Sequence, residues 1–319
     1  MLFGEFAVLE GHPAVALCFD RRIRCEARLL PGRLRFDAPE LLVEGAIELP
    51  LSALAGPPEL PELRLLWPFL QNAVPRLGGL SLRFDAEFPS TWGLGSSSAS
   101  SLAAVAATRA LLAEYPDEAA LFAEVRALQQ TLQGRASGYD AATQLLGGVV
   151  LFSDPGFAGE AGPVQLERVD GPAMPWLVGY TGRKASTSKM LRSVGSDFPS
   201  RSPIYRRIGE LAKEGLAALR AGDIATLGDA MNRGHDLLVE LGAVPADLAL
   251  KMQALQETDG ILGARMCGAG GGDCVLMLVD DQQAAIDALH AVDFSLLPLT
   301  FTESGLRAEP TDQEARYES

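Results

Sequence analysis

Positive charge is scarce in this sequence. Its 319 residues include 27 lysines and arginines against 41 aspartates and glutamates, so the net charge is −14. This balance argues against nonspecific binding to nucleic acid or to an anionic membrane, because both attract positive charge. Long apolar runs are missing as well: no window holds 18 uninterrupted apolar residues, so no transmembrane helix is predicted.

Cysteine is also rare. The four cysteines are Cys18, Cys25, Cys267 and Cys274, and neither pair has the two-residue gap of zinc and redox motifs. We interpret them as reduced packing residues. The N-terminal sequence lacks the basic lead and the long apolar stretch of a signal peptide. These features predict a cytoplasmic protein.

Apolar residues make up 48% of the chain, which is enough for large cores, and the length predicts about two domains. Residues 80–88 alternate between apolar and polar side chains and predict a half-buried strand. Residues 117–133 predict a helix, with Asp117 as its N-cap. Both halves mix strands and helices, so the predicted fold class is α+β, with domains at residues 1–160 and 161–319. The polar tail from Glu309 is expected to be frayed.

A segment rich in glycine and serine separates a predicted strand from a predicted alanine-rich helix. Its sequence is Gly93-Leu94-Gly95-Ser96-Ser97-Ser98. Glycine lets the backbone approach a ligand, and the first turn of a helix presents unpaired N–H groups and the positive end of the helix dipole. The segment therefore predicts a phosphate site, where a hydroxyl could hold Mg²⁺. An ordinary helix start after a glycine turn explains this motif equally well.

An aspartate, Asp140, follows Gly134-Arg135-Ala136-Ser137-Gly138-Tyr139 in a predicted loop between a helix and an apolar strand. A carboxylate in such a loop is a candidate general base or charge partner. Taken alone, the motif favours a capping or turn aspartate.

A glycine-rich turn, Gly268-Ala269-Gly270-Gly271-Gly272-Asp273, lies between Cys267 and Cys274. Four glycines in five positions are too many for a simple hairpin. They predict a backbone packed tightly against a ligand or against residues 93–98. The alternative is a flexible turn.

Two cations and several hydroxyls follow a predicted strand in Tyr180-Thr181-Gly182-Arg183-Lys184-Ala185-Ser186-Thr187. These side chains suit an anionic substrate that carries a carboxylate or a phosphate. The alternative is a solvated loop with incidental charges.

The order of these segments resembles the GHMP kinases, the superfamily of galactokinase, homoserine kinase, mevalonate kinase and phosphomevalonate kinase. The opening Leu2-Phe3-Gly4-Glu5-Phe6-Ala7-Val8-Leu9-Glu10-Gly11-His12-Pro13-Ala14 is similar to their first motif, residues 93–98 to the second, and residues 268–273 to the third. The resemblance covers nearly the whole chain. It implies an N-terminal domain like that of ribosomal protein S5, a ferredoxin-like C-terminal domain, and phosphorylation of a small molecule with ATP and Mg²⁺.

The resemblance also implies residue roles. Asp140 would be catalytic, and Ser97 would bind Mg²⁺. The ATP phosphates would contact Gly93, Leu94, Gly95, Ser96, Ser97, Ser98, Gly270 and Gly271. The substrate would contact Glu5, His12, Ser137, Thr181, Arg183, Lys184 and Ser186. No nucleic-acid or membrane partner is expected, and a homodimer is left open.

Within the superfamily, the mevalonate-pathway branch of isoprenoid biosynthesis fits best. Residues 4–11 and Asp273 resemble phosphomevalonate kinases, so the sequence favours conversion of phosphomevalonate to diphosphomevalonate. Residues 12–16 and 231–238 resemble mevalonate kinases instead, and that activity is the alternative. A catalytically silent, metabolite-binding regulator is a further alternative, and the decarboxylase relative is disfavoured because its serine-rich loop differs.

Two positions depart from the family pattern. Family members usually carry a lysine a few residues before the Gly-Glu of the first motif, and that position falls upstream of Met1. Mevalonate kinases also carry a magnesium-binding glutamate eleven residues before the catalytic aspartate, where this chain has Gln129. An uncharged amide is a weaker metal ligand, which counts against mevalonate kinase proper or against full activity.

Overall fold

The computed structural model describes residues 1–39, 45–58, 63–184, 198–268, 271–311 and 314–318. The helices are α1 (Trp67–Leu77), α2 (Ser96–Leu111), α3 (Glu118–Gln133), α4 (Tyr139–Leu146), α5 (Phe198–Ala221), α6 (Ile224–Glu240), α7 (Ala246–Gln256) and α8 (Gln282–Ala291). The strands are β1 (Ala14–Leu17), β2 (Ile23–Leu29), β3 (Arg33–Asp37), β4 (Ala46–Pro50), β5 (Leu80–Ala86), β6 (Val149–Ser153), β7 (Gln165–Val169), β8 (Trp176–Tyr180), β9 (Ile261–Met266), β10 (Cys274–Val279), β11 (Ser295–Leu296), β12 (Arg307–Thr311) and β13 (Glu314–Glu318). This mixture confirms the α+β class. Within the described ranges, no helix is both long and apolar enough to cross a bilayer.

The chain forms two compact units that are interleaved in sequence. The first unit contains residues 1–20, 91–94 and 148–303, and the second contains residues 21–90, 95–147 and 304–319. The predicted boundary between residues 160 and 161 therefore coincides with no edge of either unit, because the N-terminal segment and β6 pack with the residues after 160.

The first unit holds two antiparallel sheets. One has the strand order β11-β8-β10-β9, and the other has the order β1-β6-β7. Strand β10 is apolar at every position and buried along its whole length, as a central strand requires. Helix α6 packs against β9 and α5, and these helices add their apolar residues to the core.

The second unit is built on a six-stranded sheet with the order β12-β13-β2-β5-β3-β4. The pairing of β3 with β5 is parallel, and the other pairs are antiparallel. Leu80, Leu82 and Phe84 of β5 are buried while Arg83 and Asp85 are exposed, which confirms the predicted alternation. Helix α2 packs on β2 and β13, and its alanines permit that close approach.

The predicted helix at residues 117–133 is confirmed, since the side chain of Asp117 accepts a hydrogen bond from the backbone N–H of Ala120 at 2.8 Å. Two other local predictions are wrong. Asp140 lies in the first turn of α4 rather than in a loop; this helix is only eight residues long, so it shows little periodicity. The tail from Glu309 forms strand residues of β12 and β13 rather than a frayed end, because β13 pairs with β2 from the opposite end of the chain.

Candidate active site

The predicted phosphate segment ends in a left-handed glycine and the first turn of a helix. Gly95 is the N-cap of α2 with φ 77°, and no side chain caps this helix within the described structure. The carbonyl oxygen of Gly95 accepts hydrogen bonds from the N–H of Ala99 at 3.0 Å and from Nε2 of Gln144 at 3.0 Å. The helix start and the absence of a side-chain cap leave amides of the first turn for a ligand.

A group of polar side chains lies directly behind this helix start. We call it the Asp140 cluster; it consists of Gly95, Ser98, Gln129, Asp140 and Gln144. Nε2 of Gln129 donates to Oγ of Ser98 at 2.6 Å, and Ser98 donates to Oδ2 of Asp140. Nε2 of Gln129 also lies 3.5 Å from Oδ1 of Asp140. Ser98 and Gln129 are 2% and 4% exposed, whereas Asp140 is half-buried. The cluster therefore aligns a serine hydroxyl on a carboxylate that solvent or a ligand can reach.

The described side chains that hydrogen-bond to Asp140, those of Ser98 and Gln129, are uncharged. Among the described residues, no lysine, arginine or histidine forms an ion pair with its carboxylate. In addition, the amide oxygens Oε1 of Gln129 and Oε1 of Gln144 are buried and have no hydrogen-bond partner in the described part of the chain. An unpaired buried acceptor costs about 1–3 kcal/mol. The cluster therefore has negative charge and spare acceptor capacity.

These oxygen atoms fit Mg²⁺. The described residues contain no group of three His, Cys, Asp or Glu side chains that could hold a metal alone. Magnesium, however, usually takes one or two carboxylates together with phosphate oxygens and water. Asp140 supplies the carboxylate, and Gln129, whose Nε2 lies 3.5 Å from Oδ1 of Asp140, carries an amide oxygen without a partner among the described residues. Ser97, the predicted ligand, is exposed, while its neighbour Ser98 is the serine that contacts Asp140. The role of Ser97 stays a prediction.

The glycine-rich turn packs against the beginning of the phosphate segment, within the first unit. A Cβ on Gly93 would lie 2.5 Å from Cγ of Asp273, and both residues have positive φ. The thiol of Cys274 lies 2.9 Å from the carbonyl oxygen of Trp92. Of the two expectations, packing against a ligand or against residues 93–98, these contacts agree with the second at Gly93, the first residue of that segment. Gly271 belongs to the described turn, whereas Gly270 lies outside the described residues.

The segment after β8 reaches the same turn. The N–H of Thr181 donates to the carbonyl oxygen of Asp273 at 3.0 Å, and the N–H of Asp273 donates to that of Arg183 at 2.7 Å. The guanidinium of Arg183 forms an exposed ion pair with Asp247 at 2.6 Å, and this hydrogen bond lowers the pKa of Asp247. Lys184 is exposed, and Ser186 lies outside the described residues.

Apart from Glu5, two predicted substrate residues remain, His12 and Ser137, and they belong to different units. His12, in the first unit, packs on α5, where a Cβ on Gly209 would lie 2.6 Å from its Nδ1. Burial lowers the pKa of His12, and the charge of Lys213 adds to this effect. Ser137, in the second unit, is buried, with its Oγ 3.5 Å from the N–H of Tyr139. Neither contact identifies a substrate.

Glu5 forms a buried ion pair that the sequence analysis missed. Its Oε2 accepts from the guanidinium of Arg265 at 2.6 Å, and the two residues are 2% and 1% exposed. The guanidinium carbon lies 5.3 Å from the centroid of the Phe3 ring. Burial, and next the charge of Arg265, lowers the pKa of neighbouring His235 to about 4. A lone arginine in the apolar strand β9 was the available signal, because a charge there needs a partner.

Two family models match the chain in sequence order. The GHMP kinases N terminal domain matches residues 63–148, and the GHMP kinases C terminal model matches residues 216–296. Together they span about half of the chain.

Curated relatives match nearly the whole chain. A mevalonate kinase of Thermococcus sibiricus is 26% identical over 330 residues, covering 97% of this chain and 96% of that protein. Among solved structures, the mevalonate kinase of Methanococcus jannaschii has a TM-score of 0.77 at 19% identity, covering 94% of this chain and 95% of that one. Streptococcus pneumoniae phosphomevalonate kinase, in complex with phosphomevalonate and AMPPNP, has a TM-score of 0.77 at 19% identity, covering 94% and 96%. With both family models in place, this chain belongs to the GHMP kinase family of small-molecule kinases.

Proposed function

We propose that this chain transfers the terminal phosphoryl group of ATP to the primary hydroxyl of mevalonate. The observation that carries the proposal is the Asp140 cluster, in which an accessible carboxylate is surrounded by neutral hydrogen-bond donors. An alcohol must lose a proton as it attacks phosphorus, and a carboxylate within hydrogen-bond reach can accept that proton or orient the hydroxyl.

The charge of the cluster favours an alcohol over a phosphate as the acceptor. A phosphate nucleophile is already ionised near neutral pH, and Asp140 would repel it, since no described cation pairs with this carboxylate. Two curated relatives whose alignments cover 97% of this chain are named mevalonate kinase, which supports the same acceptor.

Other residues of the chain have roles that follow from their positions. The amides at the start of α2 would bind ATP phosphates, because a helix N-terminus favours anions. Lys184 is an exposed cation suited to a substrate carboxylate, and Arg183 would have to exchange its ion pair with Asp247 to serve the same purpose. Asp140, with an oxygen of Gln129 or a neighbouring serine, would hold Mg²⁺. When bound, that ion would neutralise charge on the phosphates.

Phosphomevalonate is the second candidate acceptor. The sequence of the first motif and Asp273 in the glycine-rich turn favour it. The Streptococcus pneumoniae neighbour binds phosphomevalonate, which is in keeping with this candidate at the level of fold. For this acceptor Asp140 would act by orientation, since no proton has to be removed.

ADP release tests the proposal. Purified protein with Mg²⁺-ATP is given R-mevalonate or R-5-phosphomevalonate, and the product mass is determined. We expect turnover with mevalonate and a product heavier by one phosphoryl group. Turnover with phosphomevalonate alone would replace the proposed acceptor by the second candidate. ATP binding without turnover on either compound would support a silent metabolite-binding regulator instead.

A further inference from the structure

Gln144 connects the helix that carries Asp140 to the start of the phosphate segment. It lies four residues after Asp140 in α4, so both side chains project from the same face. Its Nε2 donates to the carbonyl oxygen of Gly95 at 3.0 Å. The same helix face therefore contacts Ser98 through Asp140 and Gly95 through Gln144.

The bond from Gln144 fixes a peptide plane. The carbonyl oxygen of Gly95 also accepts the first helical hydrogen bond, from Ala99 at 3.0 Å, so two donors hold it in place. In a planar trans peptide the C=O and the next N–H point in opposite directions. Holding the carbonyl of Gly95 therefore holds the N–H of Ser96 facing away from the body of α2, where an anion binds at a helix N-terminus.

A side chain at position 95 would be strained and would displace the amide of Gln144. The φ of 77° at Gly95 is left-handed, and a Cβ would lie 2.8 Å from Nε2 of Gln144. The other end of the Gln144 amide has no equivalent contact: Oε1 is buried and unpaired among the described residues. The described hydrogen bond of the Gln144 side chain is therefore the one from Nε2 to Gly95.

We propose that Gln144 is a positioning residue for the phosphates of a nucleoside triphosphate. It acts through Gly95 by holding the Ser96 amide available to a phosphate oxygen. This inference rests on the proposed function, because it assumes that ATP binds at the start of α2. The role assigned to Gln144 concerns nucleotide affinity rather than the proton of the acceptor, which Asp140 serves.

Two substitutions test the role by isothermal titration with Mg²⁺-ATP. Gln144→Leu removes the donor, and we expect the Kd for ATP to rise about 5- to 10-fold, the effect of one hydrogen bond, with kcat changed less than about threefold. Gln144→Glu keeps the shape but sets a carboxylate against the Gly95 carbonyl. The ratio of its Kd to the wild-type Kd should be highest near pH 8. This ratio should approach one as the pH falls through the pKa of the new carboxyl group, because the protonated carboxyl can donate a hydrogen bond to Gly95. A merely structural role would give no such pH profile.

Gln71 provides a matched control in the same unit. Its Nε2 donates to the carbonyl oxygen of Leu54 at 2.7 Å, which is the same kind of contact at a distance from α2 in the sequence. Gln71 is exposed, so Gln71→Leu should lower the Tm no more than Gln144→Leu does, and it should leave the Kd for ATP unchanged.

The outcomes separate this inference from the proposed function. If the wild-type protein binds Mg²⁺-ATP, but Gln144→Leu binds it within twofold and Gln144→Glu shows no pH-dependent weakening, the inference is wrong and the proposed function stands. If the wild-type protein does not bind Mg²⁺-ATP, the proposed function fails, and the role of Gln144 fails with it.

Discussion

Two polar clusters of this protein contrast in charge and exposure. The Asp140 cluster of the second unit surrounds a half-buried carboxylate with uncharged donors. The Glu5 cluster of the first unit, formed by Phe3, Glu5, His235 and Arg265, is almost fully buried and contains an ion pair between Arg265 and Oε2 of Glu5. The carboxylate of Asp140 is accessible and has no cationic partner among the described residues, whereas the carboxylate of Glu5 is buried and is paired with Arg265.

This contrast distinguishes the carboxylate that is available for chemistry from the one that is not. Burying an ion pair has a large desolvation cost, and its close geometry then restricts the backbone segments that carry it. Arg265 thus ties the N-terminal motif to β9, and we interpret Glu5 as a structural residue rather than a substrate ligand. Asp140 keeps a carboxylate that a proton, a metal ion or a hydroxyl can still approach.

The largest expected effect comes from breaking the buried ion pair. Arg265→Leu leaves the carboxylate of Glu5 buried without its partner, and we expect the free energy of unfolding to fall by about 3–5 kcal/mol, measured by urea denaturation. The double variant Glu5→Gln with Arg265→Leu should recover a large part of this loss, because no charge remains buried. If Arg265→Leu has the same urea midpoint of unfolding as the wild-type protein, the ion pair does not stabilise this unit.

An acid-dependent loss of stability should arise from His235. Its pKa is about 4 in the folded protein against an ordinary value of 6.5, so below pH 6.5 the unfolded chain binds a proton that the folded chain does not. The stability contributed by neutral His235 is complete above pH 6.5 and is lost as the pH falls to about 4, by about 3 kcal/mol in total. Urea midpoints of wild type and His235→Leu across this range measure it. Parallel pH curves for the two proteins would contradict the assignment.

A smaller effect is expected from Gln129 in the Asp140 cluster. Gln129→Leu removes the donor to Ser98 and also removes a buried oxygen that has no partner among the described residues. We expect kcat to fall about tenfold while the free energy of unfolding changes by less than about 1 kcal/mol, because the two effects on stability oppose each other. If the free energy of unfolding falls by much more than about 1 kcal/mol and the loss of kcat follows from unfolding, Gln129 has a structural role like the residues of the Glu5 cluster.

Local features of the fold could be predicted from the sequence. Strands β8 and β10 are short apolar runs beside turn residues, and such a pattern can be recognised from the sequence. The N-cap Asp117 and the alternation in β5 were confirmed for the same reason: the signal lies within a few neighbouring residues. Strand β13 could not be predicted, because its stability depends on β2, nearly 300 residues away in the sequence.

The candidate site could be predicted only in part. The Gly/Ser-rich segment and Asp140 stood out because glycines and a loop-like aspartate carry local signals. Gln129 is noted only through the family resemblance, and Gln144 carries no signal of its own, since an amide in a helix has no distinctive pattern until its partner is known. Arg265 carried a signal that was overlooked, as its charge sits in an apolar strand. Gln129, Gln144 and Arg265 each act through a contact with a residue distant in the sequence, and a local sequence pattern does not show such a contact.

The most direct test of the contrast between the clusters is the turnover of Asp140→Asn, measured as ADP release with Mg²⁺-ATP and the acceptor that wild type uses. The asparagine keeps the size of the side chain and loses the charge. We expect kcat to fall at least about 10²-fold, with the Tm within a few degrees of wild type. Near-full turnover of this variant, or a loss of activity explained by unfolding, would contradict the assignment of the chemistry to Asp140.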